Sequence, residues 1–262
     1  MWRIKELDSI IDGFENDIIQ FLNSNNIKRD NDYLNLVLDT AAKSIVSIRE
    51  VLCLCNCGFP DGALSLARNI CEQFFILSYF ESVKGTEEFD NSLHDYYLDY
   101  DIQRVKKNKN AVERFDESKV EELDCELNEL KQKKISKKKG NYWWANVNSF
   151  KDLCDVIICN TEDDTKGLIY NLLWGYDRAC VSLHASCLGN SVRLIYDKDS
   201  KAVDTSPSVK GHSMPLWLSV TSFIWISSVT YSQLGIKVKF NKQLNELAVF
   251  YSRKMKEEFN DV

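Results

Sequence analysis

The sequence predicts an all-α fold, and three observations carry that expectation. Three prolines and ten glycines in 262 residues leave little punctuation for many short strands. The opening stretch places apolar side chains at Ile4, Leu7, Ile11, Phe14, Ile18 and Phe21, a helical stripe. Residues 87–139 are dense in charge and poor in large aliphatic side chains, the pattern of long, partly exposed helices. The expected architecture is a multi-helix bundle. It forms a single helical domain over 1–262, with 87–139 as a charged helical arm and one irregular loop or short hairpin near 189–211.

Each element has its own justification. The first helix ends at the polar stretch "SNNIKRDND". "DYLNLVLDTAAKSIVSIREVLCLC" is a second helix, with Asp32 as its cap and Gly58 as its stop. A third opens at Pro60 and Asp61, where proline and a capping carboxylate belong. The charged stretch that follows reads as two helices. "KKKGNYWWANVNSF" is then a loop, and Ser149 caps a short helix. Asp163–Thr165 opens a long core helix over 163–188, and two more helices follow at roughly 213–234 and 240–259. Residues 211–236 carry no formal charge and are long enough to span a bilayer of about 30 Å. Their many hydroxyls and the lack of basic asymmetry at the flanks read instead as a helix central to a bundle. No membrane contact is expected.

Bulk numbers bound the function. A composition of 44% hydrophobic and 27% charged residues is that of a globular protein. A net charge of -6 argues against a wholly basic nucleic-acid coat and leaves room for a local basic patch. "MWRIKELDSI" has charges and no apolar signal-peptide core, so the nine cysteines are read as reduced thiols in a cytoplasmic protein. In "CLCNC", Cys53 and Cys57 share a helix face while Cys55 points elsewhere, which suits packing better than metal ligation. The chain has no P-loop, no strand-borne GxGxxG, no HExxH and no nucleophile elbow. No metal site and no cofactor are expected.

Polar residues in apolar helices supply the candidates. Arg68 and Glu72 are four apart, with Leu64, Cys71, Phe74 and Phe75 around them, so an arginine there needs a partner. The plain reading is a structural ion pair between helices. The functional reading groups Arg68 and Glu72 with Tyr176, Asp177, Arg178 and His184 of the later helix in one interior cleft. On that helix Trp174, Asp177, Val181 and His184 share a face, read as an apolar core stripe. Arg178 sits roughly 120° from the face of His184. A second group is basic: six lysines, among them Lys134, Lys137, Lys138 and Lys139, precede Trp143 and Trp144. Lysines beside an exposed aromatic such as Trp143 can grip phosphate and stack bases. The alternative is a solvated helix end, with tryptophans anchoring a loop on the core.

The spacing L-x-x-x-R-x-x-x-E at Leu64, Arg68 and Glu72, followed by Tyr176, Ser182 and His184, resembles a bacterial helical domain family of unknown function. That resemblance covers roughly residues 35–235 and implies a fold and a site. Arg178-x5-His184 also resembles the arginine–histidine pair of HEPN-type ribonuclease domains, although Ala179 stands where that family usually has a polar residue. This second resemblance implies a metal-independent ribonuclease of a bacterial defence or toxin type. His184 would handle protons, and Arg178 or Arg68 would steady the phosphate. It also implies RNA as partner and a homodimer or other protein partner. The competing expectation is a non-catalytic helical interaction module that binds a protein or a small ligand.

Overall fold

A computed structural model describes residues 3–24, 31–113, 116, 118–183, 194–196, 201–203 and 211–260. Nine α-helices lie among them: α1 Ile4–Ser24, α2 Asp32–Asn56, α3 Pro60–Ser82, α4 Glu87–Val112, α5 Ser118–Gln132, α6 Phe150–Asn160, α7 Asp163–Leu183, α8 Ser213–Leu234 and α9 Asn241–Asn260. A single 3-10 turn spans Trp143–Ala145. Strands β1 Leu194–Tyr196 and β2 Lys201–Val203 pair antiparallel, Ile195 opposite Ala202, within the segment expected to hold a loop or short hairpin. The all-α bundle inferred from the sequence is the fold. The chain forms two compact units, 1–77 with 163–262, and 78–162.

In the first unit, the predicted stripe of α1 is buried: Leu7 and Ile11 are fully enclosed, and Phe14 is 1% exposed. Phe14 meets Phe223 and Tyr231 of α8 edge-on, at 5.2 and 5.3 Å between ring centroids, a favoured arrangement for aromatic quadrupoles. Asp17 is buried beside them. Its carboxylate accepts from the Tyr231 hydroxyl at 2.8 Å and from Lys239 Nζ at 2.5 Å, so the buried charge is paired and hydrogen-bonded. On the outer side Arg49 of α2 bridges Asp12 and Glu15 of α1.

The uncharged helix α8 is buried along nearly its whole length. Ser227 and Ser228 donate to the Ile224 carbonyl and Thr230 to that of Ile226. Hydroxyls bonding back onto their own helix are how a buried helix tolerates such residues. Among the described residues no helix is long and apolar enough to cross a membrane. α7 packs on α8 through Gly175, where an added Cβ would stand 3.0 Å from both Leu218 and Trp217 side-chain atoms. The α2 cap differs by one residue from the expectation. Asn31 accepts from the Leu34 N–H, which makes Asp32 the first helical residue.

In the second unit, α4 and α5 pair antiparallel. Lys109 meets Asp124 at 2.6 Å and Arg104 meets Glu126 at 3.9 Å, while Leu98, Ile102, Val105 and Leu127 close the seam. Trp144 lies stacked on Phe80 at 5.4 Å and edge-on to Tyr79 and Tyr96. The Tyr79 hydroxyl lies within hydrogen-bond distance of Ser92, Glu88 and the Ala145 carbonyl. Ser149 caps α6 as expected and forms a reciprocal capping box with Asp152.

Candidate functional site

The third helix is enclosed on most sides, with Ala67, Ile70, Cys71 and Phe75 fully buried. Arg68 rises from this apolar setting toward α7, where Tyr176 and Cys180 stand one turn apart. Its Nη2 donates to the Tyr176 hydroxyl at 2.7 Å and its Nε to Cys180 Sγ at 3.0 Å. Its guanidinium carbon lies 4.8 Å from the Tyr176 ring centroid. Glu72, one turn along α3, approaches the guanidinium at 3.7 Å. Neighbouring contacts lock the two helices in register: Phe75 meets Tyr176 edge-on at 6.4 Å, and Cys71 Sγ lies 3.7 Å from the Leu172 carbonyl.

Burial and charge act on this cluster in opposite senses. Burial works against the Arg68 cation. The hydrogen bond to Cys180 and the fields of Tyr176, Cys180 and Glu72 outweigh it, and its pKa ends above the ordinary arginine value. Burial, reinforced by the negative charge of Glu72, pushes the Tyr176 phenol far above its ordinary range despite the nearby guanidinium. Tyr176 therefore keeps its proton and can donate it. The cluster is not sealed: the side chains of Arg68 and Glu72 are 27% and 28% exposed. A fixed cation and a phenolic donor thus converge beside a carboxylate at a solvent-reachable point: the first two can hold an anionic oxygen, and the carboxylate can accept a proton.

Of the six grouped residues, Arg68, Glu72 and Tyr176 come together. Asp177 and Arg178 do not. Both are exposed, and Arg178 lies over the outward ring of Trp174 at 5.5 Å. The reason is the orientation of α7. Its inner face is Ile169, Leu172, Tyr176 and Ala179, whereas Trp174 and Val181 are 42% and 38% exposed. The face expected to be an apolar core stripe is the outer one. His184 lies outside the described residues. Cys180 is a member of the cluster that the sequence grouping leaves out; its signal is the four-residue step from Tyr176, which places both on one helix face.

In the basic segment the stacking reading of Trp143 fails and the alternative, tryptophans anchoring a loop on the core, fits. Trp143 is 5% exposed and offers no ring for base stacking. Its indole N–H donates to Asp99 at 2.8 Å, and Lys134 Nζ sits 3.8 Å from its ring centroid. Burial lowers the Lys134 pKa against the fields of Asp95 and Asp99, and Nζ is also bonded to the Lys138 carbonyl. Lys134 thus serves this unit's own packing. Lys137, Lys138 and Lys139 are exposed. Lys137 borders a cleft of about 410 Å³ whose wall also carries Glu87, Glu88 and Asp95, a field that opposes phosphate. Asp95, 1% exposed, receives the backbone N–H groups of Ile135 and Ser136 and fixes the middle of the lysine run.

On "CLCNC", Cys55 is buried while Cys53 and Cys57 are exposed. Among the described residues no group of three or more His, Cys, Asp or Glu side chains is placed to hold a metal ion.

The chain is an all-α multi-helix protein with a half-open arginine–carboxylate–phenol cluster between two helices. The chain belongs to a family of unknown function, DUF5677, which matches residues 34–202. No curated protein and no solved structure matches the chain.

Proposed function

We propose that this protein is a metal-independent ribonuclease in which Arg68, Glu72 and Tyr176 form the phosphate-binding half of the site. The observation that carries the reading is the posture of Arg68. Its guanidinium is held by Tyr176 and Cys180 at 2.7 and 3.0 Å, yet about a quarter of the side chain stays open to solvent. The chemistry is transphosphorylation. The Glu72 carboxylate takes the proton of a ribose 2′-hydroxyl, whose oxygen attacks the adjacent phosphorus. Arg68 and the Tyr176 O–H hold the charged non-bridging oxygens. The bond from phosphorus to the 5′-oxygen breaks, and that oxygen receives a proton from His184. The products are a 2′,3′-cyclic phosphate and a 5′-hydroxyl end. His184 enters through the resemblance of Arg178-x5-His184 to HEPN-type ribonuclease domains. Arg68 takes the phosphate role in preference to Arg178, which lies on the outer face of α7.

The test is cleavage of single-stranded RNA in the presence of chelator, with melting temperatures measured for every variant. Arg68→Ala and His184→Ala are expected to lose roughly 10²–10⁴-fold in rate when assayed well below their thermal midpoints, which Arg68→Ala lowers because the Tyr176 and Cys180 contacts go with the guanidinium. Arg178→Ala is expected to retain activity. An inactive wild-type protein, or full activity in Arg68→Ala, sinks the reading.

A further inference from the structure

Lys242, Val249 and Arg253 of α9 stand at i, i+7 and i+11. At about 100° per residue they fall within an arc of roughly 40°. Both cations are exposed, and Val249 is 51% exposed between them. Neither cation has an ion pair or a side-chain hydrogen bond among the described residues. These three residues line a groove of about 690 Å³ together with Glu246, Phe250 and, from the start of the chain, Arg3. Arg3 takes φ 51°, in the left-handed region that residues with a side chain rarely enter. Glu6 holds it there, accepting from Nε at 2.7 Å, and its guanidinium carbon lies 5.6 Å from the Phe250 ring centroid. Arg3 is thus answered by Glu6 and by the nearby Glu246. Lys242 and Arg253 are the charges left to bind, on a chain whose net charge is -6.

The order of these residues specifies the partner. Eleven residues at about 1.5 Å each set Lys242 roughly 16 Å from Arg253. Along the face the pattern is cation, carboxylate, valine, cation. A complementary occupant carries two acids at that separation, with an apolar and a neutral or basic side chain between them. A second helix repeats its side chains at the spacing of α9 itself. Laid antiparallel, it brings an acid at j to Arg253 and an apolar residue at j+4 to Val249. A lysine at j+7 then meets Glu246, and an acid at j+11 meets Lys242. A nucleic-acid strand fits worse. It carries a phosphate at every nucleotide, including those that would face Glu246. The Phe250 ring is no free platform for a base either, with Arg3 over it and Tyr251 edge-on at 5.3 Å.

We propose that the α9 groove docks an acidic amphipathic helix of a partner protein, whose two carboxylates pair with Lys242 and Arg253 on either side of an apolar contact with Val249. One short helix buries less than the roughly 1,200–2,000 Å² of a standard stable interface. The association is accordingly weak and sensitive to salt. It goes beyond the ribonuclease reading and does not depend on it, because it uses none of those residues and its readout is binding.

Fluorescence anisotropy of a labelled synthetic helix with an E-x3-L-x2-K-x3-E face, titrated with the full chain, tests it. Saturable binding that weakens with added salt is expected. Lys242→Glu, Arg253→Glu and Val249→Asp are each expected to weaken it roughly tenfold or more. Lys43→Glu, on the exposed side of α2, is expected to leave it unchanged. A peptide with lysines in place of both glutamates is expected to bind the double reversal Lys242→Glu/Arg253→Glu and not the wild type. All of these positions are exposed, so folding is unaffected, and circular dichroism checks that. Absence of saturable binding overturns the proposal. So does wild-type affinity in both single charge reversals. A labelled oligouridylate that displaces the peptide and is itself lost in the same variants assigns the groove to RNA and overturns it as well.

Discussion

At the scale of single residues, the cluster depends on which groups are fixed by others. Arg68 is positioned by two acceptors on α7, and the stronger geometry is the 2.7 Å bond to Tyr176. Tyr176→Phe removes that acceptor and leaves a half-buried guanidinium short of a partner. The expected cost is about 1–3 kcal/mol, read from urea denaturation. Asp95 makes the parallel case in the other unit. Asp95→Ala abandons the Ile135 and Ser136 N–H groups, and proteolysis near the lysine run is expected to accelerate. Arg68 and Glu72 were legible in the sequence, because a guanidinium on an apolar helix must find a carboxylate or comparable acceptor, and Glu72 stands one turn away. Arg178 was not. Its place depends on which side of α7 faces the core, and the sequence offers two stripes. The outer one holds Trp174 and Val181, while the inner one is built of smaller residues such as Ala179 around Leu172. Size favoured the wrong stripe. For Trp143 the sequence left two readings, a stacking platform beside lysines and a tryptophan anchoring a loop on the core, and the buried ring with its indole N–H on Asp99 fits the second.

At the scale of elements, helix boundaries were readable because punctuation is local. Pro60 opens α3, Ser149 caps α6, and the polar stretch after Ser24 ends α1. What closes one helix on another is not local. Gly175 is an unremarkable residue in sequence, and its role emerges only when Trp217 and Leu218 arrive from more than forty positions away. Gly175→Ala is expected to destabilise the chain by about 1–3 kcal/mol despite the better helix propensity of alanine, because the Cβ must displace packed side chains. A chemical denaturation midpoint reads the sign directly. The hydroxyl run of α8 was interpretable as a core helix, yet only coordinates identify which hydroxyls bond back to their own carbonyls.

At the scale of the whole molecule, buried acids set the response to alkali. Burial, and to a lesser extent Glu258, raise the Cys55 thiol from its ordinary value near 9 to about 12. Burial pushes Tyr79, Tyr231 and Tyr251 upward in the same sense. Between the unfolded and folded values the native chain holds protons that the unfolded chain has released, so stability falls as pH rises. The contribution of Cys55 is intact below about pH 9 and is lost progressively toward about pH 12. Denaturation midpoints are expected to drop across that window, with a shallower slope in Cys55→Ala. Two neighbours of Cys55 stand in water. One stretch of α2 therefore carries its own gauge: an alkylating reagent tags Cys53 and Cys57 at once, and reaches Cys55 only when that helix lifts from the layer beneath it.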